Sequence, residues 1–147
     1  MKFLSKKDLK DYLLQIEGQQ VYEVKAGIGT GSIFTMYFSC NQDQLNRETS
    51  DMIMVFCSWK LLFKDAYLCT WRDNESEIKE NLDKLVDKTI LTIELDLSFD
   101  IIINLSENYR LYINCDSSSN SDIDIDSDYF IKIKNKITAV LRGKIVE

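Results

Sequence analysis

The spacing of hydrophobic residues predicts a helix at the start of the chain. Four apolar residues recur at helical spacing: Leu9, Tyr12, Leu13 and Ile16. Ser5 precedes this stripe and Asp8 follows it by three positions, which is a typical arrangement for capping a helix N-terminus. Gly18 stands where a helix commonly ends in a left-handed residue. We therefore expect a helix from about Lys6 to Glu17.

A second helix is indicated in the middle of the chain. Asn74 is followed three residues later by Glu77, which again suggests a capped N-terminus. The apolar stripe of this helix consists of Ile78, Leu82, Leu85 and Val86. Both stripes require an apolar surface on which to pack.

Nine other segments are rich in β-branched and aromatic residues and are bounded by polar or glycine-containing turns, which is typical of strands. They cover residues 21–26, 32–39, 52–63, 66–72, 89–96, 99–105, 109–115, 128–134 and 137–146. These patterns predict an α+β fold, in which a meandering antiparallel sheet of about nine strands packs against two helices.

The two halves of this single predicted domain, residues 1–147, resemble each other. The segment from Leu9 aligns with the segment from Ile78 without a gap, so that Leu13 falls on Leu82 and Val21 falls on Ile90. This alignment predicts a pseudo-repeat of residues 5–63 and 74–135. Any two amphipathic helices that lead into strands also align well, so the sequence leaves both interpretations open.

Composition narrows the range of functions. The chain has 147 residues, with 24 acidic and 18 basic residues and a net charge of −6. General nucleic-acid binders and proteins that bind anionic membranes depend on basic surfaces, so neither class is expected, whereas a basic protein partner is compatible with this charge. The N-terminus resembles a capped helix rather than a signal peptide, and no apolar run has the length of a membrane span, so we expect a cytoplasmic protein.

Histidine and cysteine usage argues against several kinds of active site. The chain has no histidine, which excludes Ser-His-Asp and Cys-His catalysis and histidine-ligated metals. Its four cysteines include no C-x-x-C pair, so we expect free thiols and no structural zinc. No carboxylate pair stands out as a general acid and base. We therefore predict no cofactor, no metal and no catalytic residue.

The stretch "CDSSSNSDIDIDSD", residues 115–128, is the most acidic part of the chain. Its alternating aspartates resemble the start of a calcium loop, but Ser127 occupies the position that requires glycine, and Ile133 occupies that of the bidentate glutamate. A solvated connection between strands is one interpretation, and an acidic surface for a partner is the other. The candidate partner-binding residues are Asp116, Asp122, Asp124, Asp126 and Asp128.

Several segments carry a family resemblance: "GTGSIFTMYFS", "CSWKLL" and "NLDKLVDKTILTIELDLSFDIIINLSENYRLYINC". From about Gly18 onward the chain resembles a group of small bacterial α+β proteins of the toxin-immunity type. It departs from that group at Leu105, where an aromatic residue is usual, and at Asp87-Lys88, which replaces Gly-Lys. The resemblance implies an immunity protein that neutralises a bacterial toxin, and it transfers no catalytic residue.

Two hypotheses from different classes follow. The first is a non-enzymatic protein-binding domain, monomeric or weakly dimeric, whose partner is a basic protein toxin. The second is a small-molecule-binding or enzymatic α+β domain with a pocket between the sheet and the helices. A convex surface without a pocket favours the first, and an apolar pocket with converging polar groups favours the second.

Overall fold

The computed structural model describes residues 5–27, 29, 31–41, 45–114, 128–134, 136–141 and 144–146. Within these ranges the chain forms two α-helices, α1 (Lys6–Leu14) and α2 (Glu75–Leu82), and eleven strands. The strands are β1 (Gln20–Gly27), β2 (Gly31–Ser39), β3 (Asp51–Val55), β4 (Ser58–Phe63), β5 (Ala66–Thr70), β6 (Ile90–Leu95), β7 (Ile101–Leu105), β8 (Tyr109–Asn114), β9 (Tyr129–Ile133), β10 (Lys136–Leu141) and β11 (Lys144–Val146). Neither helix of the described part has the length and apolar character needed to cross a membrane.

Both helices begin where the sequence predicts. The Ser5 hydroxyl accepts a hydrogen bond from the Asp8 N–H, and the Asp8 carboxylate accepts one from the Ser5 N–H. The Asn74 side chain likewise accepts a hydrogen bond from the N–H of Glu77, at 2.9 Å. Helix α1 is shorter than predicted, since it ends at Leu14. The residues of the two apolar stripes that are fully buried are Leu9, Leu13, Ile16, Ile78, Leu82 and Leu85.

The α+β class is confirmed, but the prediction of a single sheet is wrong. The described strands form a first sheet in the order β1-β2-β3-β9-β10-β11 and a second sheet in the order β5-β4-β8-β7-β6. All neighbouring strands are antiparallel. Helix α1 contacts β6, whereas α2 contacts β1 and β2 of the first sheet and β5 of the second.

The difference arises in the apolar run from Met52 to Phe63, which was predicted as one strand. The ladder stops after Val55, where the N–H groups of Phe56 and Cys57 both donate to the carbonyl oxygen of Asp128, at 3.0 and 3.1 Å. The chain then enters the second sheet as β4. Hydrophobicity is continuous through this corner because the segments before and after it both face the core, so the pattern did not reveal it.

The two inner faces meet in one core. The rings of Phe34 in the first sheet and Trp59 in the second lie 5.2 Å apart between centroids, in an edge-to-face arrangement. The indole N–H of Trp59 donates to the carbonyl oxygen of Ser32 at 2.8 Å, and the Tyr129 hydroxyl donates to that of Phe99 at 3.0 Å. Trp59 and Tyr129 thus each donate a hydrogen bond to a backbone carbonyl beside a hairpin turn of the opposite sheet.

The two halves of the chain distribute their strands between the two sheets in a similar way. Strands β1–β3 belong to the first sheet and the following β4–β5 hairpin to the second, whereas β6–β8 belong to the second sheet and β9–β11 to the first. Hydrogen bonds correspond in the same way: the Gly18 N–H donates to the Ile90 carbonyl at 2.8 Å, and the Asp87 N–H donates to the Val21 carbonyl at 2.7 Å. Gly18 and Asp87, like Val21 and Ile90, are 69 residues apart in the chain.

Candidate functional site

Most of the candidate acidic residues lie outside the described part of the chain. These are Asp116, Asp122, Asp124 and Asp126. Asp128 is described and is only 9% exposed. Its N–H donates to the carbonyl of Val140 at 2.7 Å, and its own carbonyl accepts the two hydrogen bonds that form the corner between β3 and β4. Asp128 therefore supports the junction of the sheets through its backbone. Partner binding by the other four aspartates remains a prediction.

The described cysteines are free thiols with different environments. Cys40 is exposed, Cys57 is half-buried and Cys69 is buried. Burial, together with the neighbouring carboxylate of Asp73 that favours the protonated thiol, raises the pKa of Cys69 to about 12. Cys69 therefore carries no thiolate near neutral pH and packs as a small apolar side chain. Within the described ranges, no cluster of three cysteine or acidic side chains is arranged to hold a metal.

The outer face of the first sheet is partly covered by residues 45–50 of the β2–β3 connection, here called the cover loop. Arg47 forms an ion pair with Glu23 and lies over the ring of Tyr37, 5.8 Å from its centroid. The hydrogen bond from Arg47 lowers the pKa of Glu23. Lys132 donates to the carbonyl oxygens of Arg47 and Glu48, at 3.1 and 3.0 Å. The loop is thus fastened across β1, β2 and β9.

The corresponding face of the second sheet carries no such loop within the described residues. Strands β7 and β8 are joined by only three residues, Ser106–Asn108. The strand register aligns the outward side chains in two rows, and none of them is buried. This open face consists of Lys60, Leu62, Tyr67, Thr70, Thr92, Glu94, Ile102, Asn104, Arg110 and Tyr112.

A lysine between two aromatic rings lies near the centre of the open face. The ammonium nitrogen of Lys60 is 5.5 Å from the ring centroid of Tyr67 and 4.9 Å from that of Tyr112. A cation over an aromatic face is attracted by the ring quadrupole, so each contact restrains the flexible lysine. Tyr67 remains 70% exposed. Its ring is therefore both ordered by Lys60 and available to another molecule.

Arg110 is held beside this lysine by side chains of the same face. Its Nε donates to the Asn104 Oδ1 at 2.7 Å, and its Nη1 donates to the Tyr112 hydroxyl at 3.3 Å. Asn104 is in turn oriented, because its amide donates to the Thr92 hydroxyl at 2.8 Å. Asp65 lies 3.7 Å from the guanidinium. The hydrogen bond with Tyr112 raises the pKa of Arg110, so the guanidinium is charged at every ordinary pH.

A cleft of about 380 Å³ opens at one end of the open face. Leu91 and Tyr109 supply apolar walls, and Lys64, Asp65 and Arg110 supply charged groups. Lys64 and Asp65 form the β4–β5 turn with positive φ angles of 51° and 64°. That backbone conformation is typical of a tight two-residue hairpin turn, so the turn fixes the rim of the cleft.

Sequence reasoning did not identify the open face. Its residues are the polar positions of strands whose alternate positions are buried, as at Lys60 between Trp59 and Leu61. That alternation indicates which residues face outward, but it does not reveal which of several outward faces remains uncovered. The tertiary arrangement supplies that information.

Comparison with protein-family models, with characterised proteins and with solved structures finds no match to this chain.

Proposed function

We propose that this chain is a non-enzymatic protein-binding domain and that the open face of the second sheet contacts its partner. One observation carries the proposal: Lys60, Arg110, Tyr67 and Tyr112 form an ordered surface that no other described part of the chain covers. Tyrosine and arginine are over-represented among residues that dominate binding energy at protein interfaces. Side chains that are ordered before binding lose less conformational entropy when a complex forms.

The partner implied by the sequence resemblance is a bacterial toxin, which makes the chain an immunity protein. A net charge of −6 supports this form of the proposal, because an acidic chain is attracted at long range to a basic toxin. The four aspartates outside the described residues supply part of that charge. The open face then makes the close contacts with the partner. Its tyrosines contribute apolar ring surface to these contacts and carry no net charge.

Affinity capture with matched variants tests the binding surface. The native chain and a Tyr67→Ala/Arg110→Ala variant are used to capture proteins from cells that naturally produce the chain, and captured proteins are quantified by mass spectrometry. Each hot-spot truncation typically costs about 2 kcal/mol or more, so partner recovery in the double variant should fall at least roughly tenfold. Ile137→Ala is the matched control, since Ile137 is 55% exposed and lies on β10 of the first sheet.

Two outcomes would contradict the proposal at different levels. Equal recovery of the same partner by the native chain and the double variant would exclude the open face as the interface. A captured partner that does not inhibit growth when expressed alone, or whose toxicity is not relieved by co-expression of this chain, would exclude the immunity function while leaving protein binding intact.

A second candidate function, small-molecule binding, is favoured by the cleft beside the open face. Its volume of about 380 Å³ is within the range of ligand sites, and its charged residues include both signs. Screening small zwitterionic metabolites by their effect on the melting temperature tests this function. A saturable shift that is lost in Arg110→Ala and kept in Ile137→Ala would favour it over protein binding.

We also infer that the fold arose by duplication of a helix-plus-strands unit. The corresponding hydrogen bonds at Gly18 and Asp87 support this inference, as do the irregularities in register that follow Val21 in β1 and Ile90 in β6. Expression of residues 5–63 and 74–135 as separate chains tests it. Association of the two fragments into one folded heterodimer is expected, because each fragment contributes strands to both sheets.

A further inference from the structure

The outer edge of β6 is partly paired and partly open. Upstream, the Ile90 N–H donates to the Gln19 carbonyl at 2.8 Å, and the Ile90 carbonyl accepts from the Gly18 N–H. Further along, the Ile93 N–H donates to the carboxylate of Glu17 at 3.0 Å. The Ile93 N–H therefore points away from β7. Because outward and inward groups alternate along an antiparallel strand, the N–H and carbonyl of Leu95 also point outward.

A groove of about 560 Å³ runs along this open edge, between α1 and β6. Between α2 and β1 the approach is close at Gly27, where an added Cβ would lie 2.5 Å from the Cβ of Lys79. Asp96 holds the corresponding place at the end of β6 and has a side chain, which lines the groove.

The groove has an acidic lining and adjoins the open face. Glu17, Glu94 and Asp96 contribute three carboxylates against one ammonium group, that of Lys10. Glu94 belongs both to the groove and to the open face. A molecule bound on the open face therefore reaches the edge of β6 without crossing another element of the described chain.

We propose that the edge of β6 at Ile93–Leu95 receives an extended, basic segment of a protein partner as an additional strand of the second sheet. The proposal rests on the protein-binding function proposed above. Unpaired backbone groups at a sheet edge supply the hydrogen bonds of such an added strand, and the three carboxylates select lysine or arginine at its alternate positions. Glu17 satisfies the Ile93 N–H until the added strand replaces its carboxylate.

The probe is a synthetic peptide of alternating lysine and valine with blocked ends, and a glutamate–valine peptide is its charge-reversed control. The full chain is titrated with each peptide, and amide hydrogen exchange is followed by NMR. Binding of the lysine peptide should slow exchange of the Leu95 amide roughly tenfold or more at saturation, because that amide becomes hydrogen-bonded. The glutamate peptide should have no such effect.

Two substitutions at one position separate backbone pairing from side-chain contact. Leu95→Pro removes the outward N–H without removing a hydrogen bond to β7, and proline is tolerated at such edge positions. Leu95→Ala removes the same side chain and keeps the N–H. The lysine peptide should bind Leu95→Ala about as tightly as the native chain, and Leu95→Pro should bind it at least roughly tenfold more weakly.

Three results would overturn the proposal: absence of binding by the lysine peptide, equal binding by the two Leu95 variants, or equal binding of both peptides. A concentration-dependent dimer of the native chain that is lost in Leu95→Pro would assign the edge to self-association and would also overturn it. These results are independent of partner capture by the Tyr67→Ala/Arg110→Ala variant, so failure of the edge proposal is distinguishable from failure of the proposed function.

Discussion

Gln20 and Thr89 form an isolated antiparallel bridge at the point where the two halves of the chain meet. They are 69 residues apart, which is also the separation of the capping residues Ser5 and Asn74. The bridge thus joins two residues with the same sequence separation as the two capping residues. Around it the N-terminal ends of β1 and β6 are linked by backbone hydrogen bonds, so the two sheets are connected by these bonds as well as by the core.

Replacing Leu82 by alanine should destabilise the fold by about 2–5 kcal/mol, because a fully buried leucine is removed and a cavity remains. Chemical denaturation measures the change. Leu91→Ala is the control, since Leu91 is 55% exposed and its truncation should change the free energy of unfolding by less than about 1 kcal/mol. Similar losses in both variants would contradict the packing of α2.

Gly27→Ala should be more destabilising than Gly29→Ala. Both glycines have a positive φ, of 94° and 90°, so each substitution incurs backbone strain of about 1–2 kcal/mol. At Gly27 the new Cβ also meets Lys79 on α2, which adds about 1–3 kcal/mol of overpacking, whereas nothing lies within 4 Å at Gly29. Thermal unfolding of the two variants compares them, and equal melting temperatures would refute the close approach of α2 to β1.

Tyr129→Phe should reduce stability by about 0.5–1.5 kcal/mol, because the hydrogen bond to the Phe99 carbonyl is lost while the ring remains in the core. Tyr67→Phe is the matched control on the open face and should be neutral, since its ring is 70% exposed. Urea denaturation resolves the difference. An unchanged midpoint in Tyr129→Phe would mean that this bond does not stabilise the contact between the sheets.

The cysteines should differ in reactivity in the native protein. Exposed Cys40 should react with a thiol reagent near neutral pH, whereas Cys69 should react only after unfolding. Peptide mapping by mass spectrometry identifies the modified residue. Rapid modification of Cys69 in the folded chain would contradict its burial.

The raised pKa of Cys69 also predicts a dependence of stability on pH. The folded state retains this proton more tightly than the unfolded state, so the contribution is complete below about pH 9 and is lost as the pH rises from 9 towards about 12. Since other groups titrate in this range, the comparison is with Cys69→Ala. The native chain should lose stability more steeply than this variant between pH 9 and 10.5.

Local structure could be read from the sequence because its signals are local. The caps at Ser5 and Asn74 depend on residues three positions away, and the buried stripes of both helices follow from helical periodicity. Most strands were located for the same reason, since side chains alternate between core and solvent along each of them. The turn at Lys64 and Asp65, where both residues have positive φ, was located in the same way, because these two polar residues separate the predicted strands 52–63 and 66–72.

The tertiary structure alone decided how the strands are divided between two sheets and which outer face remains open. The division depends on a corner at Phe56 and Cys57 that is stabilised by the carbonyl of Asp128, about 70 residues away in the chain. Among the described residues, the β2–β3 connection folds over the first sheet, whereas the β7–β8 connection is too short to cover the second. Such relationships join residues that are distant in sequence, and no local periodicity records them. The sequence therefore determined the elements and their buried sides, and long-range packing determined the surface available to a partner.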